Sequence, residues 1–217
     1  MQPITITAGP LATASANAIC LSQTPAAAGA LTLNGALVVS GVAVMDNPRR
    51  VLITAAGNES AKTFTIVGTN YANAPVTETS TGPNATTAQS VLDYKTVTSI
   101  TISAAAAGAI TVGTSGVGGS KWVVFDAFAP NVISIQCNAT TPINYTVQST
   151  LNDPYDPITP VAPADVVWVN SSDTAVVSAT ATKQSGFTYA PVYARILINS
   201  GSGSVAATFL QSSNGPK

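Results

Sequence analysis

Apolar and polar residues alternate in short runs along most of the chain. The alternation is strict in Ile133-Ser134-Ile135-Gln136-Cys137-Asn138 and returns in Asn144-Tyr145-Thr146-Val147-Gln148. Successive side chains of a strand point to opposite faces, so a period of two predicts strands with one packed face and one wet face. Val192, Ala194, Ile196 and Ile198 mark one face of a later strand, with Tyr193, Arg195 and Asn199 on the other. Thr63, Thr65, Thr96, Thr98, Thr101 and Thr111 add β-branched side chains, whose restricted χ1 suits a pleated sheet. The stretch VLITAAGNESAKTFTIVG, Val51 to Gly68, reads as two such runs around a polar segment with Gly57, Asn58, Glu59 and Ser60, and predicts a β-hairpin. Helical patterning is weak everywhere; Thr13 to Leu21 is the one short exception.

The runs are punctuated by turn formers: Thr81-Gly82-Pro83-Asn84, Asp153-Pro154-Tyr155-Asp156-Pro157 and Gly201-Ser202-Gly203-Ser204. Such residues supply a fixed or positive φ and reverse the chain. Many short strands with regular turn signals predict an all-β protein of two β-sandwich or jelly-roll-like domains. The richest glycine stretch is GTSGVGGS, Gly113 to Ser120. A phosphate-cradling loop needs a helix behind it. Here Lys121 is followed by the strand-like Trp122-Val123-Val124-Phe125. The stretch therefore reads as a flexible linker between an N-terminal domain, 1–118, and a C-terminal domain, 119–217. Residues 1–44 have two readings: an extended arm that adds a strand to a neighbouring subunit, or the first strands of their own domain.

Composition narrows the chemistry. Only 8% of residues are charged, where about 25% is usual; a net charge of −1 leaves no basic excess to neutralise phosphates, and the only adjacent basic pair is Arg49-Arg50. Nucleic acid is not an expected partner. A surface with so little charge favours association, so a homo-oligomer is expected. No secretory signal is visible at the start, and the longest Ala-rich stretch, Ser103 to Val112, falls short of a membrane span.

The chain has no histidine, which removes Ser-His-Asp and Cys-His machinery and His-bearing zinc sites. Cys20 and Cys137 make no disulfide framework; Cys137 shares a face with Ile133 and Ile135 and reads as a buried thiol. Acid–base work would fall to carboxylate pairs among Asp153, Asp156, Asp165 and Asp173. The first two lie in an Asn-Asp-Pro-Tyr-Asp-Pro turn, where Asp is an ordinary turn former, and a calcium-binding turn is the other chemistry open to them. The glycosylation-type triplets at Asn58, Asn84, Asn138, Asn144 and Asn170 are chance matches in a Ser- and Thr-rich chain. Trp122 and Trp168, with Tyr145, Tyr155, Tyr189 and Tyr193, could line a sugar-binding face, but both tryptophans are flanked by valine and read first as core anchors. No catalytic, cofactor-binding or metal-binding residue is assigned, and no cofactor or small-molecule ligand is expected.

Two blocks carry a resemblance. The first runs from Arg49-Arg50-Val51-Leu52-Ile53-Thr54 through Gly57-Asn58-Glu59-Ser60, Phe64-Thr65-Ile66-Val67-Gly68 and Gly82-Pro83-Asn84 to Tyr94-Lys95-Thr96-Val97-Thr98-Ser99-Ile100. The second comprises Tyr145-Thr146-Val147-Gln148-Ser149-Thr150-Leu151-Asn152-Asp153-Pro154, Trp168, Ala194 to Val205 and Gln211. Together they resemble the β domains of tailed-bacteriophage virion structural proteins. The resemblance implies a non-enzymatic shell component, foremost a capsid decoration or cement protein on the virion surface, made in the bacterial host cytoplasm. Its implied partners are the major capsid protein and copies of itself, with neither membrane nor nucleic acid. A neck or tail component and a host-surface carbohydrate-binding module are the alternatives.

Overall fold

The structure, a computed structural model, describes residues 3–126 and 132–212. The described residues hold strands and two single turns of 3-10 helix, Pro163–Asp165 and Thr174–Val176, with no α-helix. The strands of the first half are β1 (Ile4–Ala8), β2 (Ser15–Gln23), β3 (Gly29–Ala30), β4 (Val38–Val39), β5 (Val42–Ala55), β6 (Thr63–Thr69), β7 (Pro75–Thr81), β8 (Thr87–Gln89), β9 (Tyr94–Ile102) and β10 (Ile110–Gly119). Those of the second half are β11 (Val123–Val124), β12 (Ile133–Thr140), β13 (Ile143–Thr150), β14 (Val169–Asn170), β15 (Lys183–Phe187), β16 (Tyr193–Gly201) and β17 (Ser204–Gln211). The all-β class predicted from the period of two is the class observed. The chain divides into two compact units, one Thr13–Gly116 and the other joining Met1–Ala12 to Val117–Lys217.

The second of these is a two-layer sandwich. One antiparallel sheet runs β1-β17-β12-β15 and the other contains β14-β13-β16 with β11 beside β16. The alternation in β12 places Ile133, Ile135 and Cys137 inward, where they meet Ala207 and Phe209 of β17. Tyr145 and Val147 of β13 and Ala194, Ile196 and Ile198 of β16 close the core from the opposite layer. Each of the isoleucine, valine and phenylalanine side chains among them stabilises the fold by about 1.5–3 kcal/mol on full burial. Two short connections carry the chain from layer to layer, Thr141-Pro142 between β12 and β13 and Ser202-Gly203 between β16 and β17. They lie against each other: the Gly203 N–H donates to the Pro142 carbonyl at 2.8 Å. A Cβ on Gly203 would sit 1.8 Å from the Thr140 carbonyl oxygen, so the glycine predicted as a turn former is required by close approach.

The unit Thr13–Gly116 is an antiparallel sheet in the order β2-β10-β5-β9-β6-β7, with β3 on β9 and β4 and β8 on β5. Ile19, Met45, Ile53, Phe64, Ile66, Tyr94, Ile100 and Ile110 are buried. Five sequence-based readings are corrected here. The Val51–Gly68 stretch is not a hairpin: β9 lies between β5 and β6 and pairs with both. The polar segment is instead a crossover past the end of β9. The true hairpin is β6–β7, whose turn is closed by the Asn70 side chain accepting from the N–H groups of Ala72 and Ala74.

The glycine stretch is not a linker. Gly113 to Gly119 belongs to β10, which pairs with β2 at Thr114 and Ser15 and with β16 at Gly118 and Ile198. Gly113 there lets the backbone of β2 approach, a use of glycine that composition cannot separate from flexibility. Thr13 to Leu21 is not helix: from Ser15 onward it is strand, because β10 offers Ser15–Gln23 a backbone partner. Residues 4–44 are not an extended arm: β1 pairs with β17 along its whole length, and β2, β3 and β4 pair with β10, β9 and β5. As a result the first twelve residues belong to the unit of the C-terminal half, not to a linear 1–118 domain.

Candidate functional site

The residues that sequence singled out for chemistry fall into three structural groups. The first is the carboxylates. Asp153 Oδ1 accepts from the Tyr155 N–H at 2.8 Å and from the Tyr193 hydroxyl at 3.1 Å. Asp156 Oδ1 accepts from the N–H groups of Ile158 and Thr159. Asp173 caps the 3-10 turn Thr174–Val176 by accepting from the Ala175 N–H, and Asp165 ends the turn Pro163–Asp165. Hydrogen bonds to an ionised oxygen favour the charged form. The Thr159 and Ile158 N–H groups hold Asp156 below its ordinary value, and the Ala175 N–H does the same for Asp173. A general acid needs the opposite shift, toward its working pH. These carboxylates are turn builders. Among the described residues no three Asp, Glu or Cys side chains converge to hold a metal ion.

The second group is buried. Cys20 and Cys137 are enclosed, and burial pushes their thiols up to about 12 and about 11. Tyr145 belongs to the core, not to a surface aromatic face; its hydroxyl donates to the Ala181 carbonyl at 3.0 Å. Arg49 is 1% exposed and reaches Asp46 at 3.4 Å and the Ser115 carbonyl, while Arg50 pairs with Asp93 at 3.6 Å. The basic pair therefore braces the interior of its unit. Glu59, which the sequence places in a polar turn, is fully buried. Its carboxylate accepts from the N–H groups of Ala107 and Gly108 and from the Lys62 ammonium, pinning the crossover between β5 and β6 to the segment that follows β9. An acidic residue within a crossover of a nearly uncharged chain was the available signal for this clamp.

The third group lies at one margin of the sandwich unit and is the candidate site. Trp122 and Trp168 meet edge to face with centroids 4.9 Å apart, and Tyr193 meets Trp122 at 5.7 Å. Arg195 stands over the Trp168 ring, its Cζ 4.3 Å from the centroid, while its Nε donates to Gln148 Oε1 at 2.9 Å. The tryptophans are half-buried and lie outside the sandwich core, which corrects their reading as core anchors. Trp122 immediately precedes β11, in which Val123 takes the inward position, so the extended chain turns Trp122 away from the core. One face of the Trp168 ring is occupied by the Arg195 guanidinium.

Beside this cluster runs Leu151 to Val169, a segment with no strand until Val169. It is tied down by the Val167 N–H donating to Asn152 Oδ1 at 2.8 Å and the Val161 N–H donating to the Asp153 carbonyl at 3.0 Å. It nevertheless presents apolar side chains to solvent: Leu151 is 70% and Ile158 86% exposed, with Tyr155, Val167 and Val169 also exposed. Large apolar side chains concentrated on an ordered segment are a kind of surface that contact sites use. The arrangement can hold a partner by apolar contact; it offers no proton shuttle and no nucleophile with an adjacent base. Sequence reasoning weighed the aromatic residues here but missed the exposed aliphatic ones, which period-two reading assigns to cores.

No protein-family model, curated protein or solved structure matches the chain.

Proposed function

We propose that this chain is a non-enzymatic structural protein of a tailed-bacteriophage virion, a decoration or cement protein that binds the outer shell and stabilises the head. The observation that carries the reading is the exposed apolar segment Leu151–Val169 beside the Trp122–Trp168–Arg195 cluster. Its partner is the major shell protein, and the contact is apolar and poor in charge, so that little ion desolvation opposes it. Repetition over a symmetric lattice turns modest single contacts into firm attachment. The Asp turns support the same reading, because the carboxylates of Asp153, Asp156 and Asp173 accept from backbone N–H groups and the downward shifts of Asp156 and Asp173 run against acid catalysis.

The test is the copy number of this protein in purified intact virions, measured by quantitative mass spectrometry against the major shell protein. A ratio near one, or a simple lattice fraction of it, is expected. A ratio far below that places the protein in the neck or tail, and absence from the particle overturns the virion reading. Within a decorated particle, Ile158→Ser together with Leu151→Ser is expected to lower occupancy at least tenfold, about 1.4 kcal/mol, while leaving thermal unfolding of the free protein unchanged.

A further inference from the structure

A strand edge left open is a template for pairing, and folded proteins blunt such edges with charge, proline, shortness or a covering segment. Among the described residues the strand edges follow that rule with one exception. β7 begins at Pro75 and carries Glu78 at its middle. β8, β11 and β14 are two or three residues long. β15 starts at Lys183, includes Gly186 and lies beside the turn Thr174–Val176. The outer side of β2 is covered by residues 34–37, where the Asn34 and Gly35 N–H groups donate to the Ile19 carbonyl and the Leu37 N–H to that of Ala18.

β1 is different. It is the end strand of its sheet, its sequence Ile4-Thr5-Ile6-Thr7-Ala8 holds neither charge nor proline, and among the described residues no backbone hydrogen bond reaches its outer side. Ile4 and Ile6 pack against the core below, while Thr5 and Thr7 face solvent. Pro3 before the strand and Pro10 after it confine any added ladder to these five residues.

The strand is complementary to itself. Two copies laid antiparallel about an axis at Ile6 pair Ile4 with Ala8, Thr5 with Thr7 and Ile6 with Ile6, so that apolar meets apolar on the inner face and hydroxyl meets hydroxyl on the outer face. A slip of one residue would exchange the faces, and a slip of two would leave 3 of the 5 rungs. No charge on the strand opposes the approach. We propose that β1 is a self-pairing edge through which two copies of this chain join across a two-fold axis, extending the sheet β1-β17-β12-β15 into its counterpart. Such an interface is isologous and closes at two subunits. The proposal stands on the strand edge alone and holds whether or not the protein belongs to a virion.

Sedimentation equilibrium of the full chain, carried up to about 100 μM, is expected to show a monomer–dimer equilibrium. Thr5→Lys combined with Thr7→Lys sets like charges on the two outer rungs and is expected to weaken association about tenfold. Thr5→Lys combined with Thr7→Glu sets opposite charges on the same rungs and is expected to keep association at or above that of the unmodified chain at low salt. Both double variants alter exposed positions and should keep the thermal unfolding of the parent. A monomer at every concentration, a trimer or open polymer, a dimer that the paired lysines leave intact, or equal weakening by both double variants overturns the proposal.

Discussion

Gly113 and Gly116 lie in the same strand, β10, and the structure predicts opposite fates for alanine at the two positions. A Cβ on Gly113 would lie 1.7 Å from the Ser15 carbonyl oxygen and 2.6 Å from the Ala16 carbonyl carbon. Both atoms are backbone of β2, held by the pairing of Thr114 with Ser15 and of Val112 with Cys20, so no side-chain rotation can relieve the overlap. Separating the strands would sacrifice that pairing and disturb Ile19 and Cys20, which are fully buried. Overpacking of this kind costs about 3 kcal/mol. For a unit the size of Thr13–Gly116, that corresponds to a fall in melting temperature of roughly 12–24 °C. A Cβ on Gly116 meets nothing within 4 Å, so Gly116→Ala is expected to stay within about 0.5 kcal/mol of the parent. Thermal unfolding followed by circular dichroism or calorimetry distinguishes the two variants directly. Equal, small effects would show that Gly113–Gly119 behaves as the flexible linker its composition suggests, and would refute the strand assignment.

Three further outcomes are expected. Deletion of residues before Thr32 removes β1 and β2 together with the buried Ile19 and Cys20, so the product should lose its cooperative melting transition; a folded monomer would revive the arm. Burial raises the Glu59 carboxyl, but the Lys62 hydrogen bond and charge with the Ala107 and Gly108 N–H groups outweigh it and hold its pKa below the ordinary 4.5. The unfolded chain therefore binds the proton more readily. The contribution of Glu59 is full above about pH 4.5 and is lost as pH falls through the folded value; Glu59→Gln should lower stability at neutral pH and flatten the acid limb of unfolding curves, and an unchanged acid limb would refute the clamp. Cys20 and Cys137, both fully buried, should react with a thiol reagent at pH 8 only after denaturant is added, and rapid labelling of the native protein would contradict their burial.

Much of the fold was legible because strand patterning is local. Ile133, Ile135 and Cys137 announce a buried face by alternation alone, and they form one. Turn chemistry is equally local, and Gly201 to Gly203 turns the chain where its composition says it should. The candidate site was legible only in part. The aromatic residues drew notice, yet nothing near Trp168 in sequence reveals that Arg195 stands over its ring, because strand pairing brings those residues together from distant parts of the chain.

By itself, then, the sequence determined the class of structure, the placement of strands such as β12, β13 and β16, the inward face of β12 and the exclusion of histidine-dependent chemistry. Each follows from side-chain identity within a few residues, or from residue types the chain does not contain. Only the tertiary structure decided that β9 separates β5 from β6, that the first twelve residues belong with the C-terminal half, and that the glycine stretch is a strand. Strand partners are chosen by backbone hydrogen bonds and burial across long separations, and alternation is blind to both. A run such as Ile4–Ala8 looks the same from the sequence whether its edge is paired, covered or open, and it is the packing of the remaining strands that leaves it open here.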